Sequence, residues 1–423
     1  MGLKVIEYFK EICKIPHCSY ETDELRVYLA DFASKNGFKV DIDKFGNIHA
    51  LKGHPKVCLQ AHYDMVCVGL APKIELINEG GFLSAKNSSL GSDNGIGVAI
   101  IMDAMSEFCD LEVLITNNEE VGLLGANGFS SSLASKFMLN LDSEDENGVF
   151  IGCASGVSIF ASLNLKRTSC EKNLYEVSVS GLPGGHSGIE IIKNIPNAIK
   201  VLNEFLLKNG CELVSFDGGE RNNSIPVSAR AIVVSDHALM SDEICKVKDL
   251  GKQKVKVMQS SGVLDFINAF SQGIRSYDEE LKIVNESINL SIVKTDENIL
   301  EIEFFARAMS DDGLERIKSQ MQSLANLAKF KLRYAEQTSA WKPKITDFAK
   351  AVLQSMQKFN KNAKFEAVHA GLECGVLLNK SGNKIDACSI GPNIFSPHSI
   401  NEKCEIRSVN LISEVVREIL KSV

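Results

Sequence analysis

The chain lacks any apolar window long enough to cross a bilayer as a helix, and its opening residues show no charged segment followed by an apolar core. A membrane span and a secretory leader are therefore not expected, and a cytoplasmic location is. Gly2 lacks the Ser or Thr that a myristoylation signal would place after it. Positive charge is also short: 46 Lys and Arg stand against 54 Asp and Glu, for a net −8. Without a basic field, nucleic acid and acidic membrane surfaces are not expected partners. The twelve cysteines contain no C-x-x-C pair. In an unexported chain they are expected to stay reduced, and most, such as Cys58 and Cys109, read as small buried hydrophobes. There is no internal repeat and no low-complexity segment.

What is present is ordinary globular material. The 423 residues are 44% hydrophobic and 24% charged, enough for a large core and, by length, two domains more readily than one. Helical spacing at Val5, Ile6, Phe9 and Ile12 and from about Thr22 precedes strand-like runs at 38–42, 48–51 and 57–62. Leu90-Gly91-Ser92-Asp93-Asn94-Gly95-Ile96-Gly97 opens a further helix. Apolar runs at 111–115 and 137–141 then end in acidic residues. Strands alternating with helices indicate an α/β layer fold, in which sites gather outside the strands' carboxyl ends. From about residue 166 alternating strands with few crossovers suggest an inserted, smaller antiparallel α+β domain, and near 339 the chain returns to the first. The expected division is 1–165, 166–338 and 339–423.

His62 and Asp64 lie two apart at the end of a strand-like run, so they face the same way. That suits a metal-binding imidazole whose second nitrogen is held by a carboxylate. Two divalent cations sharing a water need nitrogen or oxygen ligands on each and a carboxylate spanning both. His62, Asp93, Glu120, Asp142 and His398 supply such a set, with Asp93, among small residues, the natural bridge. Read singly, Ser92-Asp93 would cap a helix, Asp142 would be a cap or surface acid, and His398 a loop histidine. Glu119 and Glu120 are adjacent and in an extended segment point to opposite sides, so one can hold metal while the other faces substrate as a general base. His186, among glycines in Gly184-Gly185-His186-Ser187-Gly188, suits either a turn or a hydrogen bond to a developing oxyanion.

Seven motifs carry a resemblance over nearly the whole chain: His62-Tyr63-Asp64-Met65-Val66, Leu90 to Gly97, Asn118-Glu119-Glu120-Val121-Gly122, Asn140-Leu141-Asp142-Ser143-Glu144, Gly184 to Gly188, His369-Ala370-Gly371-Leu372-Glu373-Cys374-Gly375 and Pro397-His398-Ser399. In this order they resemble the aminoacyl-histidine dipeptidases, or cytosol non-specific dipeptidases, of the di-zinc aminopeptidase and aminoacylase superfamily. The resemblance implies a mixed-sheet catalytic domain with an inserted lid that also carries homodimer contacts. It implies His62 and Asp142 on one zinc, Glu120 and His398 on the other, Asp93 bridging, and a cis peptide at Asp93-Asn94. Asp64 would orient His62, Glu119 would be the base, and His186 would stabilise the oxyanion, from its own or the partner subunit. Asn223 and Arg307 would hold the carboxylate of a small peptide substrate, with Gly371 lining the same pocket. Zinc is the first expectation for the two divalent ions, although manganese and cobalt suit such ligands comparably.

The chain departs from the family pattern at Ala61, Tyr63 and Asn118, and it is shorter than many relatives. The implied reaction is hydrolysis of unblocked dipeptides, including Xaa-His. An N-acyl amino-acid hydrolase and a non-catalytic peptide-binding relative are the alternatives. Glu119 argues against the latter, since a binding protein has no use for the base. A cysteine hydrolase fits poorly, because Cys67 and Cys374 have no histidine that is not already used.

Overall fold

The computed structural model describes residues 3–259, 262–279, 281–382 and 384–422. Its contacts divide the chain into two units. The first runs to Cys153 and resumes over Trp341–Ala367 and from Leu372 onward; the second comprises Ala154–Ala340 and Val368–Gly371. The texture of the sequence put the first division at 165/166. It falls earlier because the strand Ser155–Asn164 pairs residue for residue with Ile299–Ala308, while Val157, Ile159 and Ala161 join the second unit's core.

The first unit is built on an eight-stranded sheet in the order Lys39–Ile42, Ile48–Lys52, Leu111–Thr116, Val57–His62, Phe137–Asn140, Asp386–Ser389, Gly148–Cys153, Lys364–Val368. Val57–His62 runs parallel to both neighbours, whereas the strands beyond Leu111–Thr116 pair antiparallel. All six residues of Val57–His62 and of Leu111–Thr116 are buried, as parallel strands covered on both faces require. Beneath them lies Ser92–Glu107, a helix apolar on every side from 96 to 102, with Ile96, Val98, Ala99, Ile101 and Met102 wholly inaccessible. Such a helix has no solvent face and can only sit between layers. It packs against Leu3–Ile12 and Ile406–Ser422 as well as the sheet. Its approach to Leu3–Ile12 depends on Gly95, where a Cβ would stand 3.0 Å from the Phe9 ring.

The second unit holds a nine-stranded sheet whose pairings are antiparallel throughout the described residues. Helices Ala198–Lys208, Gly262–Ala269 and Asp311–Ala328 pack with it, burying Leu202, Phe205, Phe266, Phe304 and Met321 in its own core. Asn197 caps the first of these helices, its side chain accepting from the amides of Ile199 and Lys200. The α/β class with an α+β insertion is thus the observed architecture.

Two cysteine expectations need correction. Cys18 and Cys67 form a disulfide, with Cα atoms 5.5 Å apart. The tertiary fold brings these distant thiols together by pairing Cys18 with Met65 across an isolated bridge. Cys109 is exposed, because the helix ends at Glu107 and the chain turns at the surface before the strand at Leu111. Among the described residues, no helix is long and apolar enough to cross a membrane.

Phe9 is fully buried against Gly95, so Phe9→Ala leaves a void under the helix that follows Asp93. We expect a loss of about 3–5 kcal/mol, measured by urea denaturation. A loss below about 1 kcal/mol would show that the layer closes without this ring.

Candidate active site

His62 is the last residue of its strand and stands in register with Thr116, the last of the neighbouring one. Asp142 follows two residues after the parallel strand Phe137–Asn140. Asp93 reaches the same sheet edge from the non-helical first turn of the buried helix. There Gly91 takes a left-handed conformation (φ 71°), Asp93 and Asn94 depart from helical angles, and the Asp93-Asn94 peptide is cis. His398, also left-handed at φ 57°, completes the group.

The resulting geometry is centred on Asp93. Its Oδ1 lies 3.2 Å from His62 Nε2 and its Oδ2 lies 2.9 Å from His398 Nε2. One carboxylate thus turns one oxygen toward each histidine. Asp142 Oδ1 is 3.3 Å from His62 Nε2, and Glu120 Oε1 is 2.9 Å from His398 Nε2. Two ligand clusters follow, His62/Asp93/Asp142 and Asp93/Glu120/His398, and they share Asp93. A third cluster joins His62 with both Glu119 and Glu120. The two glutamates therefore do not point to opposite sides. Asn118 is left-handed (φ 53°), so the segment turns instead of extending and turns both carboxylates toward His62.

Asp64 explains why that turn holds. Its Oδ1 accepts from Glu119 N at 2.9 Å and its Oδ2 from Glu120 N at 3.3 Å. Ser19 Oγ adds a donor at 2.8 Å. The same carboxylate lies 3.5 Å from His62 Nδ1, which also approaches Asp64 O at 3.0 Å. Asp64 therefore orients the imidazole and, through two backbone amides, the acidic pair as well.

The charge balance shows what the site is suited to hold. Burial pushes the Glu120 carboxyl up to about 7, with Asp93 adding to the shift. Burial also raises Asp142 to about 6, partly offset by His62, and lifts Glu119 well above the carboxylate range. Against burial, Asp93 and Glu120 raise His398 to about 11, and the carboxylates led by Asp142 likewise keep His62 protonated. Glu120 Oε1 and Asp142 Oδ1 are buried from water, and a histidine nitrogen faces each of them. Carboxylates drawn together out of water are neutralised by protons or by cations. Two imidazoles and three carboxylates form the oxygen- and nitrogen-rich donor set that divalent metals take.

Within the second unit, His186 pairs with Ser224. Its Nδ1 accepts from the amides of Gly188 and Ile189 at 3.2 and 3.1 Å. A neutral imidazole that accepts at Nδ1 carries its hydrogen on Nε2. Arg307 is 6% exposed and stacks on Phe305. Its Nη2 lies 3.5 Å from His186 Nε2, and its Nε is buried without an acceptor. Burial lowers its pKa to about 10. No acidic side chain pairs with it among the described residues, so this cation calls for an anion from outside the unit. Asn223 is exposed, and its carbonyl accepts from Ser187 N at 2.8 Å. Gly371 ends the Val368–Gly371 segment.

Several participants had no separate signal in the sequence. His369, buried beside Arg307 and His186 in charge effect, is lowered to about 3, chiefly by burial, and its Nε2 lies 2.7 Å from Ser287 Oγ. It stood within a quoted motif without a role. Glu144, raised by burial and then by Asp93 and Asp142, was hidden in an acidic run. Glu373 is wholly buried; its Oε2 accepts from Thr116 Oγ1 at 2.6 Å and Gln60 Nε2 at 2.5 Å.

Residues 47–160, which hold His62, Asp64, Asp93, Glu119, Glu120 and Asp142, match the family model described as Peptidase family M28. The chain is 31% identical to the cytosol non-specific dipeptidase of Escherichia coli (strain K12), over 99% of this chain and 97% of that protein. Its structure is similar to that of aminoacylhistidine dipeptidase from Vibrio alginolyticus, with a TM-score of 0.82 at 27% identity, covering 99% of this chain and 96% of that one. The fold, at 14% identity and a TM-score of 0.62, is shared with the aminopeptidase PepT of Bacillus cereus, covering 100% of this chain and 98% of that one. Identity sustained from end to end, over a chain whose acidic strand ends gather around two histidines, places this protein among the metal-dependent peptidases: it belongs to the cytosol non-specific dipeptidase family.

Proposed function

We propose that the protein hydrolyses the peptide bond of unblocked dipeptides, Xaa-His among them, using two divalent cations, zinc in the first instance. The observation that carries this reading is the division of Asp93 between His62 and His398, at 3.2 and 2.9 Å. His62 and Asp142 would hold one cation, Glu120 and His398 the other, and Asp93 would belong to both. Bound there, the cations would polarise the scissile carbonyl and acidify the attacking water.

The chain's own groups do the remaining work. Glu119, fixed through its backbone by Asp64, accepts a proton from the attacking water and returns it to the leaving amine nitrogen. His186 Nε2–H donates to the oxyanion of the tetrahedral intermediate. Arg307 forms a forked pair with the substrate's C-terminal carboxylate, Asn223 supplies a neutral hydrogen bond, and Gly371 leaves room beside it. A pair to the free C-terminal carboxylate selects short peptides by their C-terminus. A homodimer formed through the second unit belongs to the same reading.

A panel of dipeptides with N-acetylated and C-amidated controls, run with metal analysis of the purified protein, tests the proposal. Cleavage of free dipeptides with two equivalents of metal is expected; preference for the N-acetylated set would favour an N-acyl amino-acid hydrolase. Glu119→Gln removes the proton acceptor while keeping size and hydrogen bonding. Its kcat is expected to fall by about 10²–10⁴-fold at unchanged metal content, and wild-type turnover would remove the base assignment. Arg307→Lys keeps the charge but loses the fork. A KM increase of about 10- to 100-fold for free dipeptides, with little change for C-terminal amides, is expected from steady-state kinetics. Equal effects on both substrate sets would assign Arg307 elsewhere.

A further inference from the structure

Outside the ligand set, one buried carboxylate is unusually well satisfied. Glu402 is 2% exposed, and its two oxygens accept four hydrogen bonds from three consecutive residues. Oε2 takes Leu90 N at 2.8 Å and Gly91 N at 3.2 Å; Oε1 takes Ser92 N at 2.8 Å and Ser92 Oγ at 2.6 Å. Successive amides converge on one anion because Gly91 is left-handed at φ 71°, which bends the backbone into a concave nest. A side chain could not replace it, since a Cβ at Gly91 would meet Met65 Sδ at 2.8 Å. The next residue is Asp93.

The other end of the clamp is equally placed. Glu402 closes the loop that carries His398, and its amide donates to Ser399 O at 3.2 Å. The stem of that loop is the pairing of Ile394–Phe395 with Lys403–Glu405, which in turn pairs with Phe82–Ala85. One side chain therefore ties the Asp93 loop to the His398 loop across 310 residues of sequence.

We propose that Glu402 is a positioning residue for the metal centre: by gripping the amides of Leu90, Gly91 and Ser92 it sets the Asp93 carboxylate between His62 and His398, and so governs how tightly the second cation is held. This rests on the two-cation reading above. A carboxylate is required because every group facing it is a donor. An amide would turn its own N–H₂ toward at least one of them, leaving donors unmatched.

The test is cobalt(II) titration of the metal-free wild-type, Glu402→Gln and Ser92→Ala proteins, followed by visible absorption and by competition with a chromophoric chelator. In Glu402→Gln the affinity for the more weakly held ion is expected to fall by about 10- to 100-fold. The metal-free melting temperature should move by no more than a few degrees, and the cobalt spectrum of the doubly loaded protein should change. Ser92→Ala removes one of the four donors without disturbing the backbone, so it should shift affinity in the same direction by less; it decides the matter should Glu402→Gln not fold. Wild-type affinities and spectra in both variants would overturn the proposal, as would a fall in metal-free stability with no change in metal affinity. A wild-type protein that binds one ion instead of two would overturn the two-cation reading itself, a separate outcome.

Discussion

Crowding of like charge away from water is the constraint on which the rest of this structure depends. Asp93, Glu119, Glu120, Asp142 and Glu144 bring their carboxylates to one sheet edge around His62 and His398, and burial opposes ionisation of each one. Only the position between two imidazolium groups keeps Asp93 below the usual carboxylate range. Removing an ion from water costs several kcal/mol even after relaxation. Such a cluster persists only where the surrounding structure holds it and positive charge is supplied to it. A catalytic metal site has this character: ligands arranged at a cost that the cations offset.

The holding is done by parts that are not acidic. The helix after Asp93 has no polar face to expose, so its burial between the sheet and two outer helices anchors the loop at its head. Asn94 Nδ2 donates to Leu141 O at 2.8 Å, joining the Asp93 loop to the strand end that leads into Asp142. Gly97 makes that approach feasible, because a Cβ there would meet Leu141 O at 2.9 Å and Asn94 Oδ1 at 2.4 Å. Asp64 holds the acidic pair through backbone amides, and Glu402 holds the turn before Asp93 in the same manner. In both cases a carboxylate outside the ligand clusters acts on the site by organising main chain.

The second unit presents the opposite polarity. Arg307 is buried with its pKa lowered by that burial, and its charge adds to the burial that lowers His369. An uncompensated buried guanidinium is as demanding as a carboxylate cluster.

Much of this was legible in residue types and spacing. The strand ends bearing His62, Glu119, Glu120 and Asp142 could be read because ligand chemistry is confined to a few side chains and strand periodicity says where they emerge. The glycines around Asp93 and His186 were equally readable as points of close approach. The geometry of the acidic pair was not, since its direction depends on a single left-handed residue, Asn118, that an extended reading cannot anticipate. Nor was the pairing of Cys18 with Cys67, nor the role of Glu402, which looks like any surface glutamate until the loop it grips is seen. The sequence by itself determined the inventory of donors, their order and the α/β frame, because these follow from local pattern. Only the tertiary structure decided which carboxylates face the histidines and which face amides, because that choice is made by contacts between segments hundreds of residues apart, where periodicity carries no information.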